Sequence, residues 1–342
     1  VIVNAAFCVG LTRDFLGPDG SLTYGDIGLG LLDQAGVHHE FLPEAPAELR
    51  ADHVRGYDGL LVLGPRISTA TLEASQRLVV VARFGVGYDN VDVEACTRAG
   101  VVLTITPDGV RRPVAAAAMT LLLAISHKLL VKDRLTRLGR WGEKLAHMGT
   151  GLSGRTLGIV GYGNIGRELA KLARPFDLRC VAHDPHVLLA DEIELLPLDD
   201  LLRSADFVCV CCALTPETRH LINAQRLALM KPTAFLINIA RGPIVDQRAL
   251  TRVLLAGGLA GAGLDVFEQE PIDPADPILT LDNVIVAPHA LCWTDECFRG
   301  IGTSACQSIV EIARGQVPRY VVNRDVIENP LFRAKLDRWT TP

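Results

Sequence analysis

Short apolar runs alternate along the chain with longer stretches in which apolar positions recur every three or four residues. The short runs, bounded by Gly, Pro or Asp, read as buried strands and the longer stretches as helices. In the first third the predicted strands are VIVNAA, HHEFL, GLLVLG, LVVVAR and VVLTIT, with IGLGLLDQAG and DVEACTRAG among the helical segments between them. That is enough for a small doubly wound unit. A second set follows a long apolar helix beginning at Pro113: TLGIVG, RCVAHD, FVCVCC, AFLINI, GAGLDV and VIVAP, from Thr156 to Pro288. These six complete a mononucleotide-binding sheet. After about Cys297 the chain is helical (SACQSIVEIARG) and then extended (PRYVVN), with no sheet left to build, so it is expected to return to the first unit. The pattern predicts an α/β protein of two doubly wound parallel-sheet domains. The first is discontinuous, 1–107 plus 295–342, and 108–294 is inserted into it. No tandem repeat or low-complexity tract is visible.

Composition narrows the function classes. With 342 residues, 49% hydrophobic and 21% charged, the chain can bury two cores. The net charge is −5, and the 34 basic residues form no run that would track a nucleic acid. The stretch PVAAAAMTLLLAIS, 113–126, reads as a packed helix too short to span a bilayer, so no membrane partner is expected. The first residues carry no signal-peptide pattern. The nine cysteines are odd in number and several lie inside predicted strands, which points away from a disulfide framework and towards a reducing cytoplasm. Strand alternation puts Cys209 and Cys211 on one face and Cys212 on the other, with no His nearby. They read as small buried side chains, and no metal site is expected.

Chemistry enters at TLGIVGYGNIGRELAKLARPFDLRCVAHDP. Gly161, Gly163 and Gly166 form G-x-G-x-x-G between a strand and a helix. The first allows a tight turn, the second lets the backbone approach a pyrophosphate, and the third lets helix and strand pack closely. The helix N-terminus attracts the anion. Asp184 ends the next strand, eighteen residues after Gly166 (184 − 166). A carboxylate there accepts hydrogen bonds from an adenosine ribose and repels a 2′-phosphate, so the expected cofactor is NAD. Further on, NVIVAPHALCWTDE places His289 where the chain leaves the sheet, a common position for catalytic groups. Those residues alone leave two readings open: a proton donor, or a histidine that ends a strand.

The motifs LINIARGPIVDQRAL, GAGLDVFEQEP and APHALCWTDE, in that order after the glycine loop, resemble the D-isomer-specific 2-hydroxyacid dehydrogenases. VARFGVGYDNVDVEACTRAGVVLTITP looks like that family's first-domain signature, and PRYVVN like its closing strand, so the likeness runs over nearly the whole chain. It implies an NAD-dependent oxidoreductase for small 2-oxo and D-2-hydroxy acids, a cleft between two domains, and a homodimer formed through the cofactor domain. It places the catalytic set on Arg241, Glu270 and His289. Arg241 would grip carboxylate and carbonyl oxygen together. His289 would give or take the proton, and Glu270 would orient the imidazole and favour its charged form. The resemblance further implies cofactor contacts from Asn164, Ile165, Cys212, Ala240 and Asp265, the last to the nicotinamide carboxamide. It assigns the substrate carboxylate to the loop containing Gly85, Val86 and Gly87.

Two departures bear on substrate choice. Where the family reads like NxxxVAEH, this chain has VRRPVAAA, so Val110, Ala116 and Ala117 replace polar groups. The turn after His289 becomes ALCW, adding Leu291 and Trp293. Arg66, Arg111 and Arg112 remain as cations that could meet a second anion, although the last two open a helix and read as solvated hinge residues. A short uncharged 2-oxo acid is therefore expected as substrate. About twenty residues follow PRYVVN, too few for an appended effector domain. Two rival readings stand beside this one: an NAD(H)-sensing corepressor-like binding protein, and phosphoglycerate dehydrogenase proper.

Overall fold

The structure, a computed structural model, describes residues 6–73, 75–190 and 192–340. The chain divides into two compact units, Val1–Val110 with Trp293–Pro342, and Arg111–Cys292. The two crossings fall at 110/111 and 292/293.

The first unit carries five parallel strands: β1 (Cys8–Leu11), β2 (His38–Phe41), β3 (Gly59–Val62), β4 (Val80–Arg83) and β5 (Val102–Thr104). Their spatial order is β2-β1-β3-β4-β5. This is the flavodoxin-like arrangement, with a topological switch between β1 and β3. The expected strand VIVNAA lies almost wholly outside the described residues, and the first described strand begins at Cys8. β3 is buried at every position and β4 at all but its last, as continuous apolar runs demand. β2, His-His-Glu-Phe at the edge, is buried nowhere. The helix Val93–Arg98 starts where Asp92 accepts from the Ala95 N–H at 2.9 Å.

The C-terminal stretch completes this unit. Thr294 caps the helix Asp295–Ala313 through its hydroxyl, and Asp295 and Glu296 in the first turn suit the helix dipole. The expected closing strand PRYVVN reduces to one antiparallel bridge, Val321 to Thr104. The reason lies in the side chain of Asn323. It accepts from the Leu103 N–H at 2.9 Å and donates to the Val101 carbonyl at 3.0 Å, replacing a ladder that three-residue β5 is too short to extend. Lys335 is 7% exposed and donates to the carbonyls of Leu78 (2.8 Å) and Ala99 (2.7 Å), so its burial is compensated by acceptors.

The second unit holds seven parallel strands: β6 (Thr156–Val160), β7 (Arg179–His183), β8 (Glu194–Leu195), β9 (Phe207–Val210), β10 (Phe235–Asn238), β11 (Gly261–Leu264) and β12 (Val284–Val286). Their order is β12-β11-β10-β9-β6-β7-β8. This is the dinucleotide-binding order with one further strand at the β12 edge. The six expected strands are present; β8, two residues paired with Val181 and Ala182, is the addition. The long apolar helix runs Pro107–Ser126, so it begins six residues before the expected start (113 − 107) and carries Pro113 inside it. At 20 residues it is long and apolar enough to cross a membrane by composition, which corrects the shorter estimate; 61% of its apolar window is buried in the fold. Ala115, Ala118, Leu121, Leu122 and Ile125 join Leu157, Ile159 and Ile237 in one core layer. Close approach is possible because β11 carries Gly263, where a Cβ would stand 3.0 Å from that of Leu121.

Candidate active site

The glycine loop leaves β6 and enters the helix Asn164–Ala173. Gly161 has φ +98°, and a Cβ there would lie 2.5 Å from the Cys212 nitrogen. A Cβ on Gly166 would run into the Gly161 carbonyl oxygen. These two glycines are fixed by the fold itself. Gly163 is different: nothing lies within 4 Å of where its Cβ would be, and both it and Asn164 are exposed. Open backbone at the start of a ten-residue helix fits a pyrophosphate. Asp184 follows β7 and turns back to this loop, accepting from the Tyr162 N–H at 2.8 Å and, through its other oxygen, from the His186 N–H at 2.9 Å. Its carboxylate is thereby held beside the turn with lone pairs to spare. Cys212 and Ala240 follow β9 and β10 and are half-buried. Burial pushes the Cys212 thiol up to about 12, which removes it as a nucleophile at neutral pH. The sulfurs of Cys209 and Cys211 lie 3.7 Å apart, on one face as alternation requires.

Arg241 stands just beyond β10. The turn that carries it is set by Asn238, 1% exposed, which accepts from the Ala240 N–H (3.1 Å) and donates to the Arg241 carbonyl (3.0 Å). Sequence reasoning missed this amide; its signal is a polar residue closing the otherwise apolar strand FLIN. The Arg241 guanidinium donates to the Ala240 carbonyl at 2.8 Å. Gly242 packs so tightly that a Cβ would overlap the Phe267 carbonyl. Only glycine lets the Arg241 turn lie against the loop that bears Glu270.

Glu270 accepts from the Phe267 N–H at 2.9 Å through one oxygen and meets His289 Nδ1 at 2.7 Å with the other. Nδ1 therefore carries the proton towards Glu270, and Nε2 is the nitrogen left for chemistry. His289 sits in the left-handed region at φ +54°, uncommon for any residue but glycine, and its side chain is 44% exposed. The hydrogen bond to Glu270 raises the imidazole above its ordinary value despite burial. Burial pulls the Glu270 carboxyl upward, but the His289 and Phe267 hydrogen bonds and the charges of His289 and Arg241 carry it below the usual range. The pair therefore favours carboxylate beside imidazolium.

Asp265, 4% exposed, accepts from the Ala290 N–H at 3.0 Å and from the Leu291 N–H with both oxygens, at 3.2 and 3.3 Å. It ties down the loop immediately after His289. Burial raises its pKa against those hydrogen bonds. The structure thus brings Arg241, Glu270, His289 and Asp265 onto neighbouring turns of the second unit. Val86 and Gly87 belong to the first unit. Their loop begins at Gly85, φ +127°, whose N–H donates to the Thr106 hydroxyl at 3.0 Å, and Val86 and Gly87 are half-exposed. Arg111 and Arg112 both pair with Glu168, Arg112 at 2.8 Å. Among the described residues no group of three or more His, Cys, Asp or Glu is arranged to hold a metal.

The chain is similar to known proteins over most of its length. Residues 119–290 match the family described as D-isomer specific 2-hydroxyacid dehydrogenase, NAD binding domain. A glyoxylate reductase from Thermococcus onnurineus is 41% identical over 295 residues, 83% of this chain and 88% of its own. A crystal structure of a protein from Thermus thermophilus superposes with a TM-score of 0.81 at 34% identity, covering 92% of this chain and 99% of that one. An NADPH-dependent glyoxylate/hydroxypyruvate reductase from Sinorhizobium meliloti, crystallised with citrate, gives 0.77 at 29% identity over 92% and 98% of the two chains. The chain belongs to the D-isomer specific 2-hydroxyacid dehydrogenase family, oxidoreductases that interconvert 2-oxo and D-2-hydroxy acids with a nicotinamide dinucleotide.

Proposed function

We propose that the protein reduces a short, uncharged 2-oxo acid of the glyoxylate or hydroxypyruvate kind with NADH. The observation that carries this is the His289–Glu270 pair at 2.7 Å, with the loop that bears Glu270 packed against the turn of Arg241. Arg241 binds the carboxylate and the adjacent carbonyl oxygen, a two-pronged task suited to a planar guanidinium. His289 Nε2 gives its proton to the carbonyl oxygen during reduction and takes it back in the reverse direction. Glu270 keeps the ring oriented and charged before the transfer. The N–H groups of Val86 and Gly87 receive the carboxylate. Gly161, Gly163, Asn164, Ile165 and Gly166 hold the dinucleotide, with Cys212, Ala240 and Asp265 lining its nicotinamide end; the bound cofactor supplies hydride.

NAD is preferred because Asp184 holds a fixed carboxylate where NADP carries its 2′-phosphate, with no Arg in Pro185–Val187 to offset it. The NADPH dependence of the Sinorhizobium relative makes this a property of the chain rather than of the fold. A second anionic group on the substrate is disfavoured, since Arg111 and Arg112 are engaged with Glu168 and Val110 and Ala117 are buried. The second unit also exposes Leu129, Leu130, Leu138, Trp141, Leu145 and Met148, an apolar surface suited to a homodimer. Nine cysteines outside any disulfide suit the cytoplasm. The test is a comparison of kcat/KM for glyoxylate, hydroxypyruvate and 3-phosphohydroxypyruvate with NADH and with NADPH. A specificity constant at least about tenfold higher for the phosphorylated acid, or a higher one with NADPH, overturns the corresponding half of this reading.

A further inference from the structure

A second histidine–carboxylate pair lies beside the first. His220 Nε2 is 2.7 Å from Glu268 Oε1, and Glu268 is two residues before Glu270. The ring nitrogen does not line up with the carboxylate as a directed hydrogen bond, so the contact is one of close approach. Like His289, His220 takes up a left-handed backbone, φ +49°.

What the pair connects gives it meaning. The segment after β9 runs alongside the turn that follows Arg241: the His220 N–H donates to the Pro243 carbonyl (2.8 Å), the Ile222 N–H to that of Ile244 (3.0 Å), and the Asp246 N–H to that of Ile222 (3.1 Å). On its other side the same turn presses Gly242 against Phe267 and Glu268 without clearance. Glu268 and Gln247 also exchange hydrogen bonds, Gln247 N–H to Glu268 Oε1 (3.2 Å) and Glu268 N–H to Gln247 Oε1 (3.1 Å). The Arg241 turn is thus held from two flanks, and the His220–Glu268 contact joins those flanks into a closed ring around Gly242 and Pro243. The same ring includes the loop whose Phe267 N–H fixes Glu270.

We propose that His220 and Glu268 are positioning residues that set the spacing between the Arg241 guanidinium and the Glu270–His289 pair. Neither touches substrate; they act through the Arg241 turn. The inference rests on the reading that Arg241 binds the substrate carboxylate. Because that grip is made in ground and transition state alike, loosening the ring falls chiefly on KM.

The test is steady-state kinetics with glyoxylate and NADH on His220→Asn, Glu268→Gln and the double variant, together with NADH dissociation constants and melting temperatures. Asn tolerates the left-handed backbone, and Gln keeps an acceptor for the Gln247 N–H. Each single variant is expected to raise KM for glyoxylate by about tenfold, as the loss of part of a uniform substrate grip would. The expected changes in kcat and NADH affinity are less than about threefold, well below the factor of ten that 1.4 kcal/mol represents. The double variant should lose no more than the worse single one, since both break one ring. A KM within about twofold of the parent in both single variants, or fully additive losses, overturns the proposal. So does a lowered melting temperature with unchanged KM, which would mark a purely structural pair. Arg241→Lys serves as the control. If it keeps the parental KM, the error lies in the role given to Arg241, and additive losses of melting temperature in the two single variants then overturn the ring as well.

Discussion

At the scale of single residues, His289 and Glu270 make the firmest predictions. His289→Ala should cut turnover by about two to four orders of magnitude, the usual worth of a positioned acid/base. NADH binding, measured by fluorescence titration, should be nearly unchanged because the glycine loop lies on other turns. On the proposed mechanism the reductive reaction needs protonated His289, whose pKa is raised by Glu270. Its kcat/KM should therefore hold at low pH and fall as pH rises through that raised value. Glu270→Gln removes the main cause of the shift, so the fall should move to lower pH. A pH profile unchanged in Glu270→Gln would contradict the assignment. At Asp184, replacement by Ser should narrow the preference for NADH over NADPH, read as the ratio of the two specificity constants. An unchanged ratio would mean that the discriminating charge lies elsewhere.

At the scale of elements, the glycine loop separates folding from binding. Gly163→Ala adds a methyl where the structure has open space, so stability should change by no more than about 0.5 kcal/mol while NADH binds several-fold more weakly. Gly166→Ala forces a methyl against the Gly161 carbonyl and should destabilise by roughly 1–3 kcal/mol, measured by chemical denaturation. Equal effects of the two on stability would refute the distinction. Apolar runs made the central strands of both sheets legible, because a parallel strand covered on both faces must be apolar along its length. Three features escaped that logic. β8 has two residues, one of them Glu, so no run exists to find. The Pro107–Ser126 helix begins in PDGVRR, whose composition reads as a loop until its later turns are packed. PRYVVN has strand composition, but the Asn323 side chain takes its place in the hydrogen bonding. Within the candidate site, the proposed groups were named from motifs. Their mutual support could not be, because Asn238 holding Arg241, Gly242 lying against Phe267 and Asp265 holding the His289 loop all join segments distant in sequence.

At the scale of the whole molecule, the exposed apolar side chains between Leu129 and Met148 predict a homodimer. Trp141→Glu with Leu145→Glu should convert it to monomer by light scattering; a parent already monomeric at micromolar concentration would refute the idea. The discontinuity of the first unit has a consequence in time. Its β5 edge is bound by Asn323 across 220 residues of sequence, and Lys335 reaches the Leu78 carbonyl across 257. A chain emerging from the ribosome therefore makes the first five strands long before the residues that seal them, whereas residues 111–292 can close their core as soon as they are out. An insert already folded is a shorter tether than an unfolded one, which lowers the entropic cost of bringing 293–342 back. During refolding, pulse-labelled amides of Ile159, Cys209 and Ile237 should gain protection before those of Leu103 and Val322; the reverse order would rule this sequence out. Until residues 293–342 arrive, the nascent protein should consist of one finished unit and one exposed sheet that depends on chaperones.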